Sequence, residues 1–222
     1  MCDFYTKREK EYLEGFLGDE EDFNGVVFML KEPDHKQVKA GDEDKRFFWF
    51  KRVVYDEKYY EDDLPKNEIT TNKRVATAFK NRFRQMLQVV GLNGEDDLKN
   101  TVFCNVHPEW GGAVETEDYK RTKKENVTNK MEVLVEQCIR KQNRTSLTIF
   151  TCRDIFKILK CKYSKEGYVI DEVVGLKYIR GENVENYETR DKIVVNTGEY
   201  ELNIYEIIHP TRSPYIAVDE SK

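Results

Sequence analysis

No stretch of this chain approaches the roughly 20 consecutive apolar residues that a bilayer-spanning helix needs, and its first residues hold no apolar run of the secretory-leader kind. A cytoplasmic protein is expected, with no membrane partner. The five cysteines, Cys2, Cys104, Cys138, Cys152 and Cys161, never fall in a C-x-x-C pair, which removes the signature of a zinc or iron–sulfur site and of a disulfide framework. Neither a metal nor an organic cofactor is expected. A G-x-S-x-G elbow and a G-x-x-x-x-G-K-[ST] loop are both missing, so a serine hydrolase and a nucleoside-triphosphatase find no support. Positive charge is not in excess either. With 36% charged residues and a net charge of −5, any attraction to nucleic-acid phosphate has to come from local patches. There is no internal repeat and no low-complexity segment.

What the chain does have is a series of short apolar runs that end in polar punctuation. VVFML (Val26–Leu30) is continuous, bounded by Gly25 and Pro33, and reads as a strand buried on both faces. TVFCN (Thr101–Asn105) and SLTIFT (Ser146–Thr151) read the same way, and ELNIYEII (Glu201–Ile208) is a fourth strand that Pro210 stops, having no N–H to donate. Between them lie helical patterns. A short amphipathic helix is expected within residues 1–20, and a longer one from an Asn72 cap to about Val90, with Val75, Phe79, Phe83, Met86, Leu87 and Val90 inward and Gly91 as the stop. The other face of that second helix carries Lys73, Arg74, Lys80, Arg82 and Arg84, a solvated stripe or a phosphate-facing one. A helix over roughly 127–141 and another beginning at Arg153 follow the second and third strands, and residues 56–70 and 115–126 read as loops.

Alternation of strand and helix predicts one α/β domain over 1–222: a three-layer sandwich with a mostly parallel central sheet of about four strands. Residues 162–200 break the rhythm. Their β-rich pieces, Tyr168–Ile170, Val173–Tyr178 and Ile193–Asn196, predict an antiparallel excursion, and the last seven residues read as a loose tail.

All three histidines of the chain, His35, His107 and His209, stand just past the end of an apolar strand, each within two residues of a proline. In open α/β sheets ligands collect beyond the carboxyl ends of the strands, so three such loops point to a shared cleft. Their spacing lacks any short ligand motif, which disfavours a metal centre.

At these positions the chain resembles the uracil-DNA glycosylase superfamily. VVFMLKEPDHK looks like its first motif, a strand running into a G-Q-D-P-Y-H-like loop, and HPTRSP looks like its C-terminal H-P-S-P-L-S-like loop. VFCN is similar to the family strand that ends in a base-reading asparagine, and IFTCRDIFKILK to a later strand and helix. The likeness runs through most of residues 24–215 in order. It implies a uracil-DNA glycosylase-like fold and a base-excision activity needing no cofactor, with DNA as partner, single-stranded or with a flipped base. Carried over, Glu32 falls on the catalytic carboxylate and His35 on the histidine of the first motif. Asn105 falls on the base-binding amide, His209 on the histidine that stabilises the leaving base, and Ser213 near the hydroxyl end of that loop. The stacking ring of the family corresponds to Phe47 or Phe48. Arg212 stands in the loop that probes the duplex, and Lys31 stands beside Glu32, where it can pair with that carboxylate or meet the nucleic acid.

The chemistry needs these types. Breaking an N-glycosidic bond develops positive charge on the sugar and negative charge on the base, so a carboxylate belongs on one side and hydrogen-bond donors on the other. An amide reads a pyrimidine edge with one donor and one acceptor. The first motif also departs from the family: Leu30 and Lys31 replace glycine and glutamine, Glu32 replaces aspartate, and Asp34 replaces the tyrosine that excludes larger bases. The alternative is therefore a glycosylase-like module that binds a base, nucleotide or nucleic acid without turnover.

Overall fold

The computed structural model describes residues 23–30, 80–93, 97, 98, 100–106, 117–180, 187–208 and 215–218. The expected helix within 1–20 and the loop at 56–70 lie outside them.

The apolar runs become strands because each can be buried on both sides. These are β1 (Val26–Leu30), β2 (Val102–Asn105), β3 (Ser146–Cys152) and β6 (Glu201–Ile207), and they lie side by side in the order β2-β1-β3-β6, all parallel. Three antiparallel strands extend the sheet past β6: β5 (Tyr187–Asn196), β4 (Ile170–Arg180) and β7 (Tyr215–Val218), giving seven strands among the described residues, in order β2-β1-β3-β6-β5-β4-β7. The expected mostly parallel sheet of about four strands is thus the core of a larger mixed sheet.

Helices cover both faces. On one face α1 (residues 80–89) buries Phe83, Met86 and Leu87 against Val26, Phe28, Phe103, Phe150 and Tyr205. On the other, α2 (Glu117–Leu134) and α3 (Arg153–Lys165) bury Val127, Met131, Leu134, Ile155, Phe156 and Leu159 against Val27, Met29, Ile149, Leu202 and Ile204. The two sets interleave along each strand, as a period of two requires. The connection that holds α1 carries the chain from β1 to β2, and the one that holds α2 carries it back across β1 to β3. Crossovers of one hand that run in opposite directions must pass on opposite faces, which is where these helices sit.

Register is locked by a row of rings. Phe103, Phe28, Phe150 and Tyr205 occupy paired positions on β2, β1, β3 and β6, with successive centroids 5.0 Å apart, and Lys192 of β5 continues the row 5.0 Å from the Tyr205 ring. Phe83 of α1 stands edge-on to both Phe28 and Phe103, at 4.6 and 5.1 Å. Each aromatic pair contributes about 0.5–1.5 kcal/mol beyond burial, and a slip by one residue would turn every ring to the opposite face. The row ends at Gly175, where a Cβ would come within 2.7 Å of the Lys192 Cβ and 3.1 Å of the Tyr205 ring. Absence of a side chain there lets β4 bulge between Val174 and Leu176 and stay paired with β5.

Three expectations are corrected. Residues 115–126 are not a loop: α2 starts at Glu117, because Glu, Lys and Arg are good helix formers even where no apolar stripe announces them. Ile170, the last residue of the piece read at 168–170, and the piece at 173–178 belong to one strand, β4, whose bulge breaks the alternation in the sequence, while Tyr168 and Val169 precede it. The C-terminal residues are not all tail, since Tyr215–Val218 forms β7 on the outer edge of β4. The helix expected from Asn72 is described from residue 80. Gly91, at φ +84°, closes it: the Gly91 N–H donates to Gln88 O at 3.0 Å and the Leu92 N–H to Leu87 O at 3.0 Å. After Leu134 the helix of α2 widens into a π-helical turn, Val135–Arg140, where the Lys141 N–H reaches back five residues to Glu136 O at 3.0 Å.

Candidate functional site

The two ends of the parallel sheet differ. At the amino end, the Asn24 amide donates to Asp97 O at 2.7 Å and to Thr101 Oγ1 at 2.9 Å and accepts from the Val26 N–H at 3.0 Å, while Thr101 Oγ1 donates to Asp97 O at 2.6 Å. Arg144 donates to Phe23 O and lays its guanidinium 4.8 Å above the Phe23 ring. These bonds bind the chain segments leading into β1 and β2 to one another, a structural role. The carboxyl end is different in kind. There the connections leaving β1 and β3 run in opposite directions along the sheet, the kind of switch point at which open α/β sheets bind ligands.

All the polar stretches that the sequence singled out leave from this edge. β1 ends at Leu30, and Lys31, Glu32 and His35 follow it. β2 ends at Asn105, which is the register partner of Leu30, and His107 follows. β6 ends at Ile207, and Ile208, His209, Arg212 and Ser213 follow. Adjacent strands lie about 4.8 Å apart, so β1 and β2 end next to each other and β6 ends roughly 10 Å from β1, two positions along. Of the expected site residues, the backbone of Asn105 is described. Lys31, Glu32, His35, Phe47, Phe48, His209, Arg212 and Ser213 lie outside the described residues, as does His107.

The described part of the edge contributes groups that the sequence reading missed. Glu206, the penultimate residue of β6, is 93% buried as a side chain, with 7% exposed. Its Oε1 forms an ion pair with Arg190 Nε at 3.2 Å, and Arg190 also pairs with Glu188. Burial pushes the Glu206 carboxyl above its ordinary range against the pull of Arg190 and Arg153, with Asp191 raising it further and Lys157 lowering it. Next to it in register, Thr151 of β3 donates its hydroxyl to Met29 O at 2.6 Å, tying the central strands together near their carboxyl ends. Tyr178 of β4 is buried, which pushes its phenol up, and its hydroxyl accepts the Ile208 N–H at 3.3 Å. One signal in the sequence marked Glu206: it continues the core phase of Leu202 and Ile204, where a charge needs a reason. Arg190 and Tyr178 carried no such signal, because β5 and β4 meet β6 only in the folded sheet.

Among the described residues no group of three His, Cys, Asp or Glu is placed to hold a metal ion, no disulfide joins cysteines, and no helix is long and apolar enough to cross a membrane. Cys138 is fully buried in the core, and that burial, with Cys104 nearby, pushes its thiol up to about 12. No family model matches the chain, nor does any curated protein or solved structure.

Proposed function

We propose that this chain is a DNA base-excision glycosylase acting on uracil or a related deaminated base, in a reducing, cytoplasmic setting. One observation supports the reading: β1, β2 and β6 run parallel and end at the same edge, β1 and β2 as direct partners, and in the sequence Glu32 stands two residues after β1, Asn105 ends β2 and His209 stands two residues after β6. In this reading the carboxylate of Glu32 orients water and stabilises the oxocarbenium-like sugar, and His209 donates to the base oxygen that gains charge. The amide of Asn105 reads the flipped base, Phe47 or Phe48 stacks on it, and His35 completes the pocket. Lys31, Arg212 and Ser213 contact the nucleic acid, which supplies locally the positive charge that the whole chain lacks. The specificity among bases, the uracil-DNA glycosylase-like character of the fold and the DNA partner are all parts of this proposal.

The test is incubation with a labelled uracil-containing oligonucleotide, followed by alkali and a count of strand breaks. Breaks are expected with the wild-type chain. Glu32→Gln and His209→Ala should lower the rate by about 10²–10³ each, the usual cost of removing a group that stabilises developing charge. Binding that weakens steeply with salt, without breaks, would identify the non-catalytic module instead. Neither breaks nor binding would remove nucleic acid from the account.

A further inference from the structure

The ladder between β5 and β6 stops before β6 does. Its last described pair toward the carboxyl end is Lys192 with Tyr205, whereas β5 continues to Tyr187 paired with β4 alone. The final residues of β6 therefore have β3 on one side, through Ile207 and Cys152, and no backbone partner from β5 on the other. Two side chains from the neighbouring hairpin fill that side. Arg190 of β5 holds the Glu206 carboxylate at 3.2 Å, and Tyr178 of β4 accepts the Ile208 N–H at 3.3 Å. Both lie against residues that immediately precede His209 in the chain. Ile208 itself is buried and cannot turn to water for a substitute partner.

We propose that Tyr178 and Arg190 are positioning residues: they replace the missing ladder at the exit of β6 and so fix the backbone from which His209 is presented. Neither touches the base. The inference deepens the glycosylase reading and rests on it for its effect on turnover, but the positioning itself has a readout of its own. An amide bonded to a buried hydroxyl exchanges slowly, and the bond is lost when the hydroxyl alone is removed.

Amide hydrogen exchange is followed by NMR on the full chain, wild type and Tyr178→Phe, together with the His209 imidazole resonances and steady-state kinetics on the uracil oligonucleotide. Loss of one such bond should speed exchange of the Ile208 amide by about fivefold, while Leu202 in the middle of the same strand stays unchanged and the His209 resonances move. The kcat should fall by roughly tenfold to a hundredfold at constant KM, as misplacement of a catalytic group does. Arg190→Lys keeps a cation beside Glu206 and should lose less than Arg190→Met. Tyr187→Phe, which removes a hydroxyl from an exposed ring on the same hairpin, serves as control and should change nothing at Ile208. Faster exchange at Ile208 with moved His209 resonances, in a chain that makes no breaks, would support the positioning and remove the glycosylase reading. Unchanged exchange at Ile208 in Tyr178→Phe, or equal acceleration at Leu202, would overturn the positioning whatever the activity.

Discussion

Glu206 shows what a single residue can carry in this molecule. The folded state holds its carboxyl above the ordinary value of 4.5, chiefly through burial, so over the interval from there up to the raised native value the folded chain binds more protons than the unfolded one. Stability contributed by this group then falls as pH rises through that interval. Glu206→Gln removes the titration while nearly preserving volume. Urea melts across a pH series should show the Gln variant gaining on the wild type as pH rises through the carboxylate range, with a flat difference below it, where both states of Glu206 are protonated. A difference that stays flat throughout would mean that Arg190 neutralises the burial penalty completely. Nothing else at the residue scale was as easy to miss: the alternation marked position 206 as core, and the charge there was legible only as an oddity.

Elements were legible where their ends carry their own chemistry. Gly91 was read as a stop, and it closes α1 at φ +84° with both bonds of a left-handed cap in place. A Cβ there would meet nothing within 4 Å, so the cost of replacing it is purely backbone. Gly91→Ala should therefore destabilise the protein by about 1 kcal/mol, seen as a lower urea midpoint at unchanged slope. Two other helix ends close in this way: Asn143, at φ 52°, with the Arg144 N–H bonded to Ile139 O at 3.0 Å, and Gly167, at φ 82°, with the Tyr168 N–H bonded to Tyr163 O at 3.2 Å. By contrast, the start of α2 was misread because a helix of Glu, Lys and Arg has the composition of a solvated loop until its backbone is seen. The β4 strand was misread for a related reason. Its bulge at Gly175 shifts the phase midway, so no single period of two runs through it.

At the scale of the whole molecule, β7 is the last strand of the sheet among the described residues. It pairs with residues 177–180 of β4. A chain ending at residue 214 leaves that part of β4 as an open edge, which invites association. The truncated chain should unfold at a lower temperature than the full chain and show added mass in light scattering. An unchanged melting temperature with a monodisperse profile would make β7 dispensable.

The sequence by itself determined that the molecule is α/β, that four apolar runs are buried strands, and that polar residues follow three of them in the chain. Those properties reside in period, composition and turn residues within each segment, and each is physically complete before the segments meet. It also supplied the residues of the candidate site, Glu32, Asn105 and His209, through a resemblance. Only the tertiary structure decided the order β2-β1-β3-β6, which brings the ends of β1 and β2 together and keeps β6 within two strands, and only it added β5, β4 and β7 beside β6. Strand order depends on which side chains interlock across strands far apart in the chain, as in the row from Phe103 to Lys192. The placement of Tyr178 and Arg190 follows from that order and has no counterpart in the spacing of residues along the chain.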